Sequence, residues 1–308
     1  MVVVRGLAIE RTKIMNMNSL SRRQMLARLS GATVASLLGT RIAPLPAAAD
    51  AGRFKVGACD WSIGKMADPG ALSVGREIGL DGVQISLGTV ANDMHLRRPE
   101  VQARYRELAA ETGVTVASLA IGELNNIPYK SDERTIGWVS DSIDVCKAMG
   151  CRVVLLAFFG NGDLKGDSSG TDEVVRRLKD VAPKAERLGV ILGLESWLSA
   201  EEHVAIIDRV GSPAVQVYYD VANSEKMGYD IYREIRWLGA KRLICEFHLK
   251  ENGFLLGQGR VDFRKVRAAM EEIGYAGWMQ IEGAVPDGAA MLPSYQANCR
   301  FARGVFGA

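Results

Sequence analysis

Eight short β-rich runs, each followed by residues at helical spacing, constrain this chain more than any other feature. The runs are 54–61, 82–87, 115–122, 152–159, 190–196, 215–223, 243–250 and 277–283. Between them lie amphipathic segments such as 99–112, 134–149, 171–188 and 262–273, with apolar residues near every third or fourth position. Gly113, Gly150, Gly189 and Gly274 follow the helical stretches, where a left-handed cap is wanted. Eight such units in roughly 250 residues predict an α/β chain folded as a single (β/α)8 barrel. The rival is a doubly wound open sheet. That fold usually carries a Gly-rich phosphate turn after its first strand, and Cys59-Asp60-Trp61-Ser62-Ile63-Gly64 is not one.

The first fifty residues stand outside this alternation. Ser21-Arg22-Arg23-Gln24-Met25-Leu26 precedes a weakly apolar stretch, 32–38, and then Ala47-Ala48-Ala49. Charge, an apolar middle and small residues make the three-part form of an export signal, and Arg22-Arg23 resembles a twin-arginine signal. The alternative is a basic amphipathic helix. Residues 1–49 are therefore expected to be a cleaved signal that delivers 50–308 to the periplasm through the twin-arginine export machinery. Met15 and Met17 are both plausible starts. The segment carries seven Arg or Lys and one acidic residue, so its removal takes the net charge from +2 to +2 − 6 = −4. No basic patch for nucleic acid remains, and no membrane span is expected after cleavage. Five cysteines without a C-x-x-C pair argue against a disulfide framework or a thiolate zinc site.

In a (β/α)8 barrel the chemistry lies at the C-terminal ends of the strands. The last four runs reach Glu195, Asp220, His248 and Glu282 there. Side chains alternate along a strand, so Tyr218 shares a face with Asp220, Glu246 with His248, and Gln280 with Glu282. Leu194, Tyr219, Phe247 and Ile281 turn the other way, toward the helices. Three carboxylates brought together repel one another and are costly to desolvate, so they need protons, cationic side chains or a metal ion. Oxygen-rich ligation with one imidazole and no thiolate suits Mn2+ or Mg2+, with Co2+ or Zn2+ as replacements. Glu246, one layer beneath His248, needs a partner if buried.

Gly193-Leu194-Glu195, Tyr218-Tyr219-Asp220-Val221-Ala222-Asn223-Ser224, Phe247-His248-Leu249-Lys250-Glu251, Gly257-Gln258-Gly259-Arg260-Val261-Asp262-Phe263 and Gly277-Trp278-Met279-Gln280-Ile281-Glu282 together resemble the xylose isomerase-like TIM-barrel superfamily. The resemblance implies one divalent metal ion bound by Glu195, Asp220, His248 and Glu282. It also implies that Glu195 and Glu282 exchange protons with a sugar carbon through a metal-stabilised enediolate. In the ketose 3-epimerase branch, Asn223 stands where a His is usual, Phe254 where an Arg is usual, and Glu201 matches a Glu.

Other candidates for holding substrate are Trp61, which could stack on a sugar, Lys250, in phase with His248, and Arg260. Glu123 and Asn125 follow the third run, and His95 sits in a polar loop and is expected at the surface. The expected activity is a metal-dependent isomerase or epimerase acting on a small carbohydrate. Two alternatives stand beside it: a lyase or hydratase acting on a 3-keto-glycoside, and a non-catalytic sugar-binding barrel. A homo-oligomer is compatible with either. An endonuclease IV-type trinuclear zinc site needs more imidazoles than the three histidines present.

Overall fold

The computed structural model describes residues 54–308, so the signal reading of 1–49 lies outside the described residues. Eight strands, β1 (Lys55–Cys59), β2 (Gly82–Ser86), β3 (Thr115–Ile121), β4 (Val153–Phe158), β5 (Ile191–Ser196), β6 (Val215–Asp220), β7 (Ile244–Lys250) and β8 (Trp278–Glu282), form a closed barrel in sequence order. Every neighbouring pair is parallel, and β1 pairs with β8 to complete the ring. The fold is the predicted α/β (β/α)8 barrel.

Each strand falls within one of the predicted runs. The helical stretch at Pro99–Thr112 has the predicted bounds. Its companions are Arg134–Ala148, Ser168–Leu188 and Phe263–Glu272. Further helices at Ala71–Ile78, Ala200–Val210, Ile231–Ala240 and Met291–Phe306 complete the outer layer. Gly113 and Gly189 close their helices at φ 73° and 69°, a left-handed conformation that glycine adopts without a Cβ penalty.

One boundary differs from expectation in a way that matters for the site. The sixth run, 215–223, was expected to be strand throughout, but β6 ends at Asp220. Asp220 Oδ1 accepts from the backbone N–H groups of Ala222 and Asn223 and so starts the short helix Val221–Lys226. Val221 and Ala222 continue the apolar pattern of a strand, but an Asp at the N-cap satisfies two otherwise orphaned donors and turns the chain.

Two apolar layers hold the barrel. The larger lies between strands and helices, where Leu194, Tyr219, Phe247 and Ile281 all pack, as their phase predicts. A smaller one fills part of the barrel interior with Ala120, Val153, Leu155, Ala157, Ile191 and Tyr218. Elsewhere the interior is polar: Gln84, Ser118, Glu246 and Gln280 are all buried. Gly57 on β1 has no side chain because any Cβ there would collide with the Gln280 carboxamide.

Candidate active site

The barrel register sets Asp220 beside His248 and Lys250 beside Glu282. Together with Glu195 at the end of β5, one ligand atom from each of Glu195, Asp220, His248 and Glu282 lies within 4.8 Å of all the others. His248 Nδ1 is the hub: 2.8 Å from Glu195 Oε1, 3.5 Å from Glu282 Oε2 and 3.9 Å from Asp220 Oδ2. His248 is fully buried, and Glu195 and Asp220 nearly so.

Lys250 follows in phase two residues after His248, and its Nζ lies 2.7 Å from Glu282 Oε2 and 3.6 Å from Asp220 Oδ2. Trp61 caps the other side of the same carboxylate, Nε1 donating to Glu282 Oε1 at 2.9 Å. Glu282 thus has a donor on each oxygen. Burial pushes its carboxyl upward, but His248 and Lys250 outweigh that and hold it at about 2. Asp220 goes the other way: burial, reinforced by the neighbouring Glu282 and Glu195, raises it to about 7 against the pull of Lys250 and His248. Burial opposes charge on His248, while Cys59 and the Glu195 and Glu282 carboxylates favour it and raise its pKa well above the ordinary histidine range; a bound cation would reverse that preference.

These residues fit a divalent cation. Asp220 Oδ2 is buried without a hydrogen-bond partner, while Oδ1 is committed to the helix cap. Lys250 Nζ, 3.6 Å away and already bonded to Glu282, meets its charge only in part, and a closer cation would offset the remaining desolvation cost. The set of three carboxylates and one imidazole is the hard, oxygen-rich kind.

The other sequence candidates divide. Trp61 and Lys250 join the cluster. Asn223 is buried beside it, with its backbone bonded to Asp220. Glu201 is instead an exposed residue in the first turn of its helix, paired with Arg233 at 2.8 Å. Arg260 is 81 % exposed and paired with Glu225. Glu123 and Asn125 tie loops together, accepting from the backbone of Val90 and Phe159 respectively. His95 is half-buried rather than on the surface, because the turns around it fold back against Leu87. His203 is buried in its helix between Ser196 and the Ser199 carbonyl, away from the cluster.

Glu246 is buried and does find partners, Ser118 Oγ at 2.8 Å and Tyr218 OH at 3.0 Å. Sequence reasoning missed Gln84, Ser118 and Cys59 as neighbours of the site. The signal was present for two of them: a Gln and a Ser at inward positions of the apolar strands GVQIS and TVASLAI.

A closed parallel barrel carrying a carboxylate–imidazole cluster at the C-terminal ends of four successive strands defines a (β/α)8 protein with a candidate metal centre at its catalytic face. The chain belongs to the xylose isomerase-like TIM barrel family, whose profile matches residues 72–303. It is 25 % identical over 228 residues to 2-epi-5-epi-valiolone 7-phosphate 2-epimerase of an Actinoplanes species, covering 70 % of this chain and 82 % of that one. It is 23 % identical over 235 residues to D-psicose 3-epimerase of Enterocloster bolteae, covering 70 % and 76 %. Among solved structures, D-psicose 3-epimerase from Clostridium cellulolyticum H10 superposes with a TM-score of 0.70 at 19 % identity, over 82 % of this chain and 99 % of that one. A 3-keto-D-glucoside 4-epimerase from E. coli gives 0.68 at 14 % identity, over 82 % and 100 %.

Proposed function

We propose that the protein is a divalent-metal-dependent epimerase or isomerase of a carbohydrate, with Glu195 and Glu282 as its acid/base pair. The observation that carries this is the placement of the two carboxylates 2.8 and 3.5 Å from His248 Nδ1, at the C-terminal ends of the strands. Glu195, Asp220, His248 and Glu282 would hold one Mn2+ or Mg2+ ion, which when bound polarises a sugar carbonyl and makes the adjacent C–H more acidic.

The chain's own residues do the rest. One glutamate takes the proton from the carbon beside the carbonyl, and the other returns a proton from the opposite face, inverting that centre. Return to the neighbouring carbon instead yields an isomer. Lys250, 2.7 Å from Glu282, presents a cation to negative charge gathering on a sugar oxygen. Trp61 fixes the Glu282 carboxylate and offers an indole face beside it.

Export of the chain, proposed from its first fifty residues, favours a free sugar or a glycoside over a phosphorylated metabolite. A second reading, elimination from a 3-keto-glycoside, draws support from the rim. Among the described residues, the large exposed apolar side chains are Met66, Val90, Ile136, Met227 and Phe254. Met66, Val90, Met227 and Phe254 lie between a strand end on the catalytic face and the next outer helix, where an apolar aglycone would sit, whereas Ile136 lies within the helix Arg134–Ala148.

Mn2+-reconstituted protein incubated in D2O with free ketoses and with 3-keto-glycosides separates these readings by NMR. Deuterium gained at the carbon beside the carbonyl without loss of a group means epimerisation or isomerisation. Release of water or an aglycone means elimination. Binding without exchange on any substrate identifies a sugar-binding barrel and overturns the proposal.

A further inference from the structure

A layer of buried polar side chains beneath the cluster takes no part in the proposed proton transfers. It consists of Cys59, Gln84, Ser118, Tyr218 and Glu246, contributed by β1, β2, β3, β6 and β7, all at most 2 % exposed. Its hydrogen-bond pattern can be solved by counting protons.

Glu246 Oε2 accepts from both Ser118 Oγ (2.8 Å) and Tyr218 OH (3.0 Å). Each hydroxyl has one proton and spends it there, leaving only lone pairs for its other neighbour. That neighbour is the same for both: Gln84 Nε2, at 3.1 and 3.0 Å. The end of the Gln84 amide facing the hydroxyls is therefore its NH2. The opposite end, Oε1, is turned to His248 Nε2 at 3.0 Å. An oxygen that only accepts requires an N–H on the ring nitrogen it faces. The Cys59 thiol donates to the same Oε1 at 3.3 Å. Each of these donors meets an acceptor, while the carboxamide of Gln280, buried in the same interior, has no hydrogen-bond partner among the described residues. Both hydroxyl bonds to Oε2 require that oxygen to carry no proton.

With the proton fixed on Nε2, the lone pair of His248 belongs to Nδ1, the nitrogen facing all three carboxylates. A bare lone pair 2.8 Å from Glu195 Oε1 is repulsive, so this side of the ring is the one that takes up a cation.

We infer that Gln84 is a positioning residue, oriented by the Ser118 and Tyr218 hydroxyls on Glu246, that commits His248 to its Nε2–H tautomer and aims Nδ1 at the divalent cation. The inference rests on the metal-site reading of His248 and is independent of which sugar, if any, is turned over. Gln84, Ser118, Tyr218 and Glu246 together choose which nitrogen of the ring binds. A wrong tautomer would place an N–H in the ligand position.

The test uses the 15N-labelled full chain loaded with diamagnetic Zn2+. With only three histidines in the sequence, His95→Gln and His203→Gln assign the His248 signals by difference. Long-range 1H–15N correlation is expected to show His248 Nε2 protonated and Nδ1 ligated. An unprotonated Nε2 overturns the inference. The Ser118→Ala/Tyr218→Phe double variant keeps Gln84 and all four ligands but frees the amide to turn round. It is expected to show a second His248 tautomer and to bind Zn2+ about 10–100-fold more weakly in chelator competition. Adding Gln84→Glu, which presents an oxygen whichever way it turns, is expected to restore the single tautomer. Wild-type affinity and a single tautomer in the double variant overturn the proposal. Failure of the wild type to bind Zn2+ overturns it along with the metal-site reading, whereas absence of sugar turnover touches only the proposed function.

Discussion

Lys250 Nζ lies 2.7 Å from Glu282 Oε2 and reaches to within 3.6 Å of Asp220 Oδ2, so a cationic side chain shares two of the four candidate metal ligands. The site is balanced by charge. Three carboxylates contribute three negative charges, and a divalent ion with Lys250 offsets them all when His248 is neutral. A neutral sugar enters without a net electrostatic penalty, and charge developing on it is met by a lysine already in place.

Replacing Lys250 by Met keeps the apolar stem and removes the cation. Mn2+ then no longer competes with an ammonium for Glu282 and Asp220, and its Kd by isothermal titration calorimetry falls about tenfold or more. The same variant loses about 100-fold in kcat, since nothing cationic from the chain faces the developing charge. Opposite movements of affinity and turnover are the signature; parallel losses would mean that Lys250 is only structural.

Glu195→Gln and Glu282→Gln keep side-chain shape but abolish proton transfer at one face each. Each is expected to lower kcat about 10²–10⁴-fold while far-UV circular dichroism stays unchanged. Solvent-deuterium incorporation distinguishes their roles, because the variant lacking the abstracting group incorporates none.

Asp220→Asn separates the two duties of one side chain. The carboxamide oxygen can still accept from Ala222 and Asn223, so helix initiation survives and stability changes by about 1 kcal/mol or less. The group at the present Oδ2 position becomes an NH2 and cannot ligate. Metal affinity is expected to fall about 100-fold or more, measured by competition with a fluorescent chelator.

His203 supplies an acid-sensitive element remote from the cluster. Burial lowers its pKa from 6.5 to about 4, opposed by its bond to the Ser199 carbonyl. Below pH 6.5 the unfolded chain takes up a proton that the folded chain refuses, so stability falls as the pH drops toward 4. At about 1.36 kcal/mol per unit the loss approaches about 3 kcal/mol. In urea unfolding, the stability gap between wild type and His203→Gln is expected to narrow by about 2–3 kcal/mol between about pH 7 and pH 4.5. A constant gap would refute the assignment.

The sequence by itself determined the barrel and its four candidate ligands. Both depend on local periodicity: alternation of strand and helix counts the units, and a two-residue repeat along each strand says which side chains face inward. Glu195, Asp220, His248 and Glu282 were legible because each lies toward the C-terminal end of a run on the inward phase. Only the tertiary structure decided which neighbours they have. Glu201 and Arg260, attractive by spacing, turn to Arg233 and Glu225, since a loop residue's direction is set by the chain it packs against. The Gln84 layer joins residues up to 189 positions apart, and register irregularities fall at Val83/Gln84 and Val217/Tyr218 within it. Which hydroxyl meets which amide depends on how distant strands slide past one another when the barrel closes, and no local pattern encodes that offset.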